Sequence, residues 1–270
     1  MNEKPFALIS GAASGIGRAI SYELASRGRN LLLVSKTNGK LIELREDLVK
    51  KYGIHVMHLQ VDLIQNDGPG KVIEWIKKND FQVDFLINNA GLGGTIEFEA
   101  SGEEYINERI LLNIRAHTLL IYYLLPELRK HQRSIILNVA SLSAFFSIPF
   151  KSVYSSTKAY VLHLSRALKT EIKGSGVQIS VLCPNGVYTN DDIISRIEIH
   201  GRMGRLLSET PEFIAAYAIR KTESGKFIII PGVFNRIILS VVRLLPGFIV
   251  QKKLSGIFSR EMNISDETTN

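Results

Sequence analysis

Residues 6–20 read FALISGAASGIGRAI: an apolar run, a turn holding Gly11, Gly15 and Gly17, and the opening of a helix. That order decides the fold. Glycine lets the backbone turn sharply, and it lets an anionic group approach the helix N-terminus, where unpaired N–H groups and the helix dipole favour negative charge. A glycine-rich turn that only packs a strand tightly on a helix has the same spelling, so the surrounding chain must choose between the readings. A G-K-[ST] sequence, the mark of a nucleoside-triphosphatase loop, is absent from this turn.

Outward from this unit, Val-, Ile- and Leu-rich runs alternate with segments of helical period. The runs are 6–10, 30–35, 54–61, 83–88, 134–139, 177–183 and 226–230, with helical stretches near 15–28, 38–52, 68–79, 103–131, 152–173 and 211–223. Continuous apolar strands separated by helices imply a parallel sheet covered on both faces. The expected fold is therefore α/β, a Rossmann-like doubly wound sheet of about seven strands in a single domain over residues 1–230. An apolar extension over 231–254 and a polar, frayed tail over 255–270 follow it.

Composition agrees. The chain has 270 residues, 45% hydrophobic and 22% charged, enough for one large core. Cys183 is the single cysteine, which rules out an intrachain disulfide and a cysteine metal cluster and fits a reducing, cytoplasmic setting. His55 and His58, three apart on a strand, point to opposite faces, so no metal site is expected. The first residues lack the pattern of an export signal. A net charge of +7 favours anionic ligands or surfaces, or reflects solvated lysines alone. No nucleic-acid partner is expected.

At the end of the second strand, where a dinucleotide fold carries an acid for the adenosine ribose, the chain has Ser35 and Lys36. A hydroxyl and an ammonium suit a 2′-phosphate, which favours NADPH over NADH, unless Lys36 is only a solvated loop residue. Further on, Tyr154 stands four residues before Lys158 and thirteen after Ser141. Four residues is one helical turn, so the phenol and the ammonium share a face. Bringing a phenol from a pKa of about 10 to about 7 takes roughly 4 kcal/mol, and a cation within a few ångströms supplies part of that. Tyr217 and Lys221 repeat the spacing without a serine thirteen residues upstream, where Gly204 stands.

These motifs, in this order, resemble the short-chain dehydrogenase/reductases from about residue 5 to 190. SGAASGIG at 10–17 is similar to the family's T-G-x-x-x-G-x-G with Ser10 for Thr; NNAG at 88–91 closes the fourth strand; Asn113 lies in the next long helix, and Ser141 precedes YSSTK at 154–158. The resemblance implies a catalytic set of Asn113, Ser141, Tyr154 and Lys158. Tyr154 would exchange the proton, Ser141 would bind the substrate oxygen, and Lys158 would bind the nicotinamide ribose. Asn113 would support a water chain from Lys158 to solvent. Cofactor contacts are implied at Ser10, Gly11, Ser14, Gly15, Ile16 and Gly17, at Ser35 and Lys36, at Asp62 and Leu63, and at Asn89, Ala90 and Gly91. Tyr154 and Lys158 would add to them. So would Pro184, Asn185, Gly186, Val187 and Thr189 of CPNGVYT, which is similar to the family's P-G-x-x-x-T. Asn185 departs from the usual glycine, and asparagine tolerates a left-handed backbone there better than most residues.

The implied activity is NADPH-dependent reduction of a ketone or aldehyde, or the reverse oxidation, by hydride transfer. A catalytically silent dinucleotide-binding protein is the alternative reading. Leu92–Thr95, Leu142–Phe146 and the segment after Thr189 should wall the substrate, and the apolar LSAFFSIPF suits an acyl, lipid-like or ring skeleton. Over 227–250, Arg236, Arg243, Pro231 and Pro246 interrupt a run otherwise mostly apolar, too often for a membrane span. That helix would pack on the sheet, on a second subunit, or, through 233–253, on a membrane surface. A homodimer or homotetramer is expected.

Overall fold

The computed structural model of the chain describes residues 4–189, 191–199, 201–242 and 244–267. Its centre is β1 (Phe6–Ser10), every residue of which is buried. β1 pairs in parallel with β2 (Asn30–Ser35) on one side and with β4 (Val83–Asn88) on the other. The whole sheet runs β3 (Val56–Gln60), β2, β1, β4, β5 (Ser134–Val139), β6 (Val177–Leu182) and β7 (Ile228–Ile229), all parallel. The strand order reverses between β1 and β4, so their carboxyl ends leave a crevice where open α/β sheets bind ligands.

Helices cover both faces. On one, α1 (Gly15–Ser26), α2 (Asn38–Tyr52) and α9 (Pro211–Glu223) bury Ile20, Leu24, Leu41, Leu44, Ile214 and Ile219 against the sheet. On the other lie α3 (Gly68–Lys78), α5 (His117–Leu128) and α6 (Ser152–Glu171), with Val72, Ile73, Leu120, Ile121 and Leu124 in that core. The sheet is one doubly wound unit, as the alternating pattern implies.

Three regions depart from the sequence pattern. The single helix expected over 103–131 is three pieces: α4 (Gly102–Ile110), a π-helical stretch at Leu111–Ala116, and α5. The wider π turn sets Asn113 and His117 inward, both almost fully buried. After β6, α7 (Asp191–Ile199) and α8 (Gly201–Leu207) fold in a stretch where no helix was expected. The apolar extension is α10 (Val233–Val242), and α11 (Gly247–Glu267) continues through the segment expected to fray from Ser255. No proline follows Pro246, Gly247 opens the helix and Gly256 lies inside it, so no proline or terminal glycine stops it.

The first turn is held open by its glycines. A Cβ on Gly17 would lie 2.2 Å from the Gly11 carbonyl oxygen and 2.5 Å from Asn89 Nδ2, whereas one on Gly39, in the first turn of α2, meets nothing within 4 Å. Gly17→Ala should therefore destabilise the protein by about 1–3 kcal/mol, the usual cost of overpacking, while Gly39→Ala leaves stability unchanged or raises it. Urea denaturation midpoints of the two variants measure the contrast; equal midpoints would mean the loop relaxes freely.

Candidate active site

The glycine loop and the end of β4 are sewn together by side chains. Ser10 Oγ accepts from the backbone N–H of Asn89 at 3.0 Å and of Ala90 at 3.1 Å. Asn89 Nδ2 donates to the carbonyls of Ser10 at 3.0 Å and Gly11 at 3.1 Å. Serine in place of threonine thus keeps the hydroxyl that makes this stitch. Gly11 has φ of +67°, and a Cβ there would lie 2.9 Å from the Ala90 Cα. Ser14 precedes α1 in an extended conformation with no side-chain cap, and the first turn carries no acid. Its N–H groups are thus uncapped by the protein's own side chains. Thr189 closes the far side, its Cγ2 3.0 Å from where a Gly15 side chain would start. A cradle with no room for Cβ atoms, opening on an uncapped helix N-terminus, fits a dinucleotide diphosphate.

The second half of the site lies at the ends of β4 and β5. Lys158, on α6, is only 4% exposed, and its Nζ donates to the Val139 carbonyl at 3.0 Å. Both this Nζ and Asn113 Oδ1 lie 3.1 Å from the position of a Cβ on Gly91, so a side chain there would displace them. Asn113 Oδ1 accepts from Leu92 N at 2.8 Å, and its Nδ2 donates to Leu92 O at 2.9 Å and Thr157 Oγ1 at 3.0 Å. The amide hydrogens are used up and one Oδ1 lone pair remains. Asn113 is a hook that fixes the backbone after NNAG, with its spare acceptor on the Lys158 side. Beneath it His117 Nε2 lies 3.0 Å from Asn88 O. Burial, and then the Lys158 charge, drive the His117 pKa down to about 3, so the ring is neutral.

Lys158 Nζ is 5.9 Å from the centre of the Tyr154 ring. Ser141, two residues past β5, caps a 3₁₀ turn at Leu142–Phe145, its Oγ accepting from Ser143 N at 3.1 Å. The Ser141 and Ser143 hydroxyls face the phenol and pull its pKa down, but burial outweighs them and holds it above the usual phenol value. The expected lowering by the lysine is therefore not what dominates here: desolvation does, and it brings Lys158 itself down to about 8. The low-dielectric site disfavours the charged form of each group.

At the adenosine end, Lys36 and Asp62 are not independent. Lys36 Nζ bridges Asp62 Oδ2 at 3.1 Å, while Asp62 Oδ1 accepts from Ile64 N at 3.1 Å. Leu63 is buried below them, and Ser35 O pairs with Val61 N at 2.9 Å. Asn185 does not adopt a left-handed backbone: among the described residues with side chains only Asp80 and Phe150 do. Its side chain is what matters, with Nδ2 donating to Asn235 Oδ1 of α10 at 3.0 Å. Pro184 O accepts from Leu142 N at 2.7 Å, Val187 pairs with Glu209, and a Cβ on Gly186 would meet Ser208 Oγ at 2.2 Å, so this loop is gripped on both sides. Ile16 is partly buried on the α1 core. The decoy pair is structural: Tyr217 stacks on Phe213 and accepts from Arg236 at 2.9 Å. Among the described residues no cluster of His, Cys, Asp and Glu is placed to hold a metal.

A cavity of about 780 Å³ opens between residues 144–149, the start of α6 and α11. Phe145, Phe146, Ile148 and Pro149 face Phe248 and Lys252 across it. Ser141, Tyr154 and Leu92–Thr95 do not line this cavity, whereas α11 does. Sequence reasoning missed α11, Asn235 and His117, which no motif marks, and the bond of Thr157 to Asn113, although Thr157 stands inside YSSTK.

Residues 5–194 match the family model described as short chain dehydrogenase. The chain belongs to the short-chain dehydrogenase family. It is 32% identical over 201 residues to human 17-beta-hydroxysteroid dehydrogenase type 3, covering 71% of this chain and 64% of the relative. To a very-long-chain 3-oxoacyl-CoA reductase of Phaeosphaeria nodorum it is 35% identical over 226 residues, covering 82% and 64%. The matches thus span less than two thirds of these relatives' length. A short-chain dehydrogenase of Sphingobium yanoikuyae in complex with NADPH superposes with a TM-score of 0.75 at 29% identity, covering 89% of this chain and 94% of that one. One from Burkholderia phymatum in complex with NAD gives 0.78 at 22% identity over 90% and 92%, and so speaks for the fold alone.

Burial of Lys158 makes a stability prediction with a definite sign. Its pKa is near 8 in the folded protein, against 10.5 for a lysine in water, so below pH 8 the folded protein bears the whole cost of the buried ammonium, about 3 kcal/mol. As pH rises from 8 to 10.5 the folded lysine loses its proton first and the cost disappears. Relative to Lys158→Met, which cannot titrate, the cofactor-free wild type should gain up to about 3 kcal/mol of unfolding free energy across that window. Parallel urea titrations at pH 7.5 and 10.5 test this; a constant difference would mean that the ammonium is not desolvated.

Proposed function

We propose that the protein is an NADPH-dependent oxidoreductase that reduces the carbonyl of an apolar, acyl or lipid-like substrate, with Tyr154 as the proton donor. The observation that supports it is the convergence of Tyr154, Ser141 and the buried Lys158 at the strand ends that also carry the glycine cradle. When bound, the dinucleotide supplies the hydride. Gly11, Gly15 and Gly17 would make room for its diphosphate, Asn89, Gly91 and Thr189 would flank it, and Lys158 would hold the nicotinamide ribose. Ser141 Oγ donates to the substrate oxygen, and the Tyr154 phenol passes its proton to that oxygen as charge develops. A phenol held protonated by burial suits the donor role, and so the reductive direction.

The apolar 144–149 wall and Phe248 favour a hydrophobic carbonyl compound, consistent with the acyl and steroid substrates in the relatives' names. For the cofactor, a 2′-phosphate would take over the Lys36 ammonium from Asp62, and the 29% identical relative is an NADPH complex. The reading also takes the protein to be a cytoplasmic homodimer or homotetramer that contacts a membrane peripherally. No helix among the described residues is long and apolar enough to cross one.

In a panel of hydrophobic ketones with NADPH, Tyr154→Phe should lower kcat by about 10²–10⁴-fold while NADPH still raises the melting temperature. Undiminished turnover would defeat the mechanism, and cofactor binding without turnover by the wild type would favour a silent dinucleotide-binding protein. Lys36→Asp should shift the NADPH-to-NADH preference by about ten-fold or more, the value of one charge-assisted bond. An unchanged ratio of kcat/KM would place the 2′-phosphate contact elsewhere.

A further inference from the structure

The rotation of α10 about its own axis is set by one amide. Asn235 is 2% exposed; its Oδ1 accepts from Asn185, and its Nδ2 donates to Leu207 O and Pro231 O, both at 3.1 Å. Leu239, one turn on, is also buried. With that face turned inward, Val233, Phe234, Ile237 and Val241 are left 50–58% exposed. Spaced at three and four residues, they form one stripe. Past the end of α10, Leu244 is 86% exposed and Phe248 72%. Single exposed apolar residues are ordinary on a soluble protein, but a continuous stripe marks an interaction surface.

The charges around the stripe are mostly basic, although Glu209 Oε1 lies 2.8 Å from where a Gly232 side chain would start. Between Glu223 and Glu261 there is no acidic residue, while Lys226, Arg236, Arg243, Lys252, Lys253 and Arg260 are basic; Arg243 is outside the described residues. Arg236, Lys252 and Lys253 are exposed. α8, packed beside α10, exposes Met203 and Leu206 next to the exposed Arg202 and Arg205. Two copies of this face brought together would set cation against cation, whereas an anionic bilayer pairs with both the apolar stripe and its basic rim. Phe248 belongs both to the exposed surface and to the wall of the 780 Å³ cavity, so the surface runs up to the cavity mouth.

We propose that α8, α10 and the start of α11 form a docking face for an anionic lipid surface, held outward by Asn235, with the cavity beside Phe145 and Phe146 opening at its edge. This deepens the membrane contact of the reading above by assigning it to named side chains, and it does not depend on the reductase chemistry. The test is co-sedimentation of the full chain with vesicles of phosphatidylcholine alone or mixed with phosphatidylglycerol. The wild type should bind, more tightly to the mixed vesicles and less so in high salt. Ile237→Glu with Val241→Glu should lower binding by about ten-fold or more, with circular dichroism and turnover of a water-soluble ketone without vesicles unchanged. If the glutamates unfold the helix, Ile237→Ser with Val241→Ser is the milder pair, with the same expectation. Absence of wild-type binding to either vesicle, undiminished binding by the folded variant, or a wild-type dimer that the variant converts to monomer would each overturn the proposal. Vesicle binding by a wild type that turns over no ketone would leave docking standing and sink the reductase reading.

Discussion

A lysine ammonium with 4% exposure is the constraint around which this site is built. Desolvating a cation costs several kcal/mol unless it is bonded and its surroundings are arranged for it. Here the arrangement is specific. The Val139 carbonyl accepts from it, Gly91 leaves it room, and Asn113 fills its amide bonds with Leu92 and Thr157 so that one acceptor lone pair is left on its side. His117 underneath stays neutral, because burial first and then the Lys158 charge disfavour a second cation there. The π turn at Leu111–Ala116 belongs to the same solution, because it sets both Asn113 and His117 inward from one helix.

A second set of polar groups joins this centre to the glycine loop. Ser10 and Asn89 exchange bonds across the β1–β4 switch point, where parallel strands diverge and backbone groups would otherwise lack partners. The loop after β6 is fixed less by its own backbone than by neighbours: Pro184 by Leu142, Val187 by Glu209, Asn185 by Asn235. The family-typical glycine is thus replaced by a side chain that ties the loop after β6 to the C-terminal helices. Of those helices α10 carries the exposed apolar stripe and α11 lines the cavity, so one amide links the loop after β6 to the outer surface.

Much of this was legible in the chain. The strands over 6–10, 30–35, 83–88 and 134–139 have the observed ends, because central parallel strands are buried on both faces and their apolar runs are uninterrupted. β3 at the edge and the two-residue β7 are shorter than their apolar runs, since edge strands keep residues that no partner orders. The site motifs were visible because loops at strand ends must be spelled in particular residues: glycine where a Cβ would meet a carbonyl, a hydroxyl where two N–H groups need an acceptor.

Local chemistry, then, was enough to determine the doubly wound sheet, the cradle and the tyrosine-lysine face, since each rests on spacing within one strand, turn or helix. Tertiary structure alone decided what depends on distant partners. It decided that burial rather than the lysine charge governs the Tyr154 proton, that Lys36 and Asp62 form one pair, and that Asn185 is a tether. It also decided which side of α10 faces out. The physical reason is common to all four: desolvation, ion pairing and helix rotation are set by atoms tens to hundreds of residues away in the chain, and no local pattern encodes which of them will arrive.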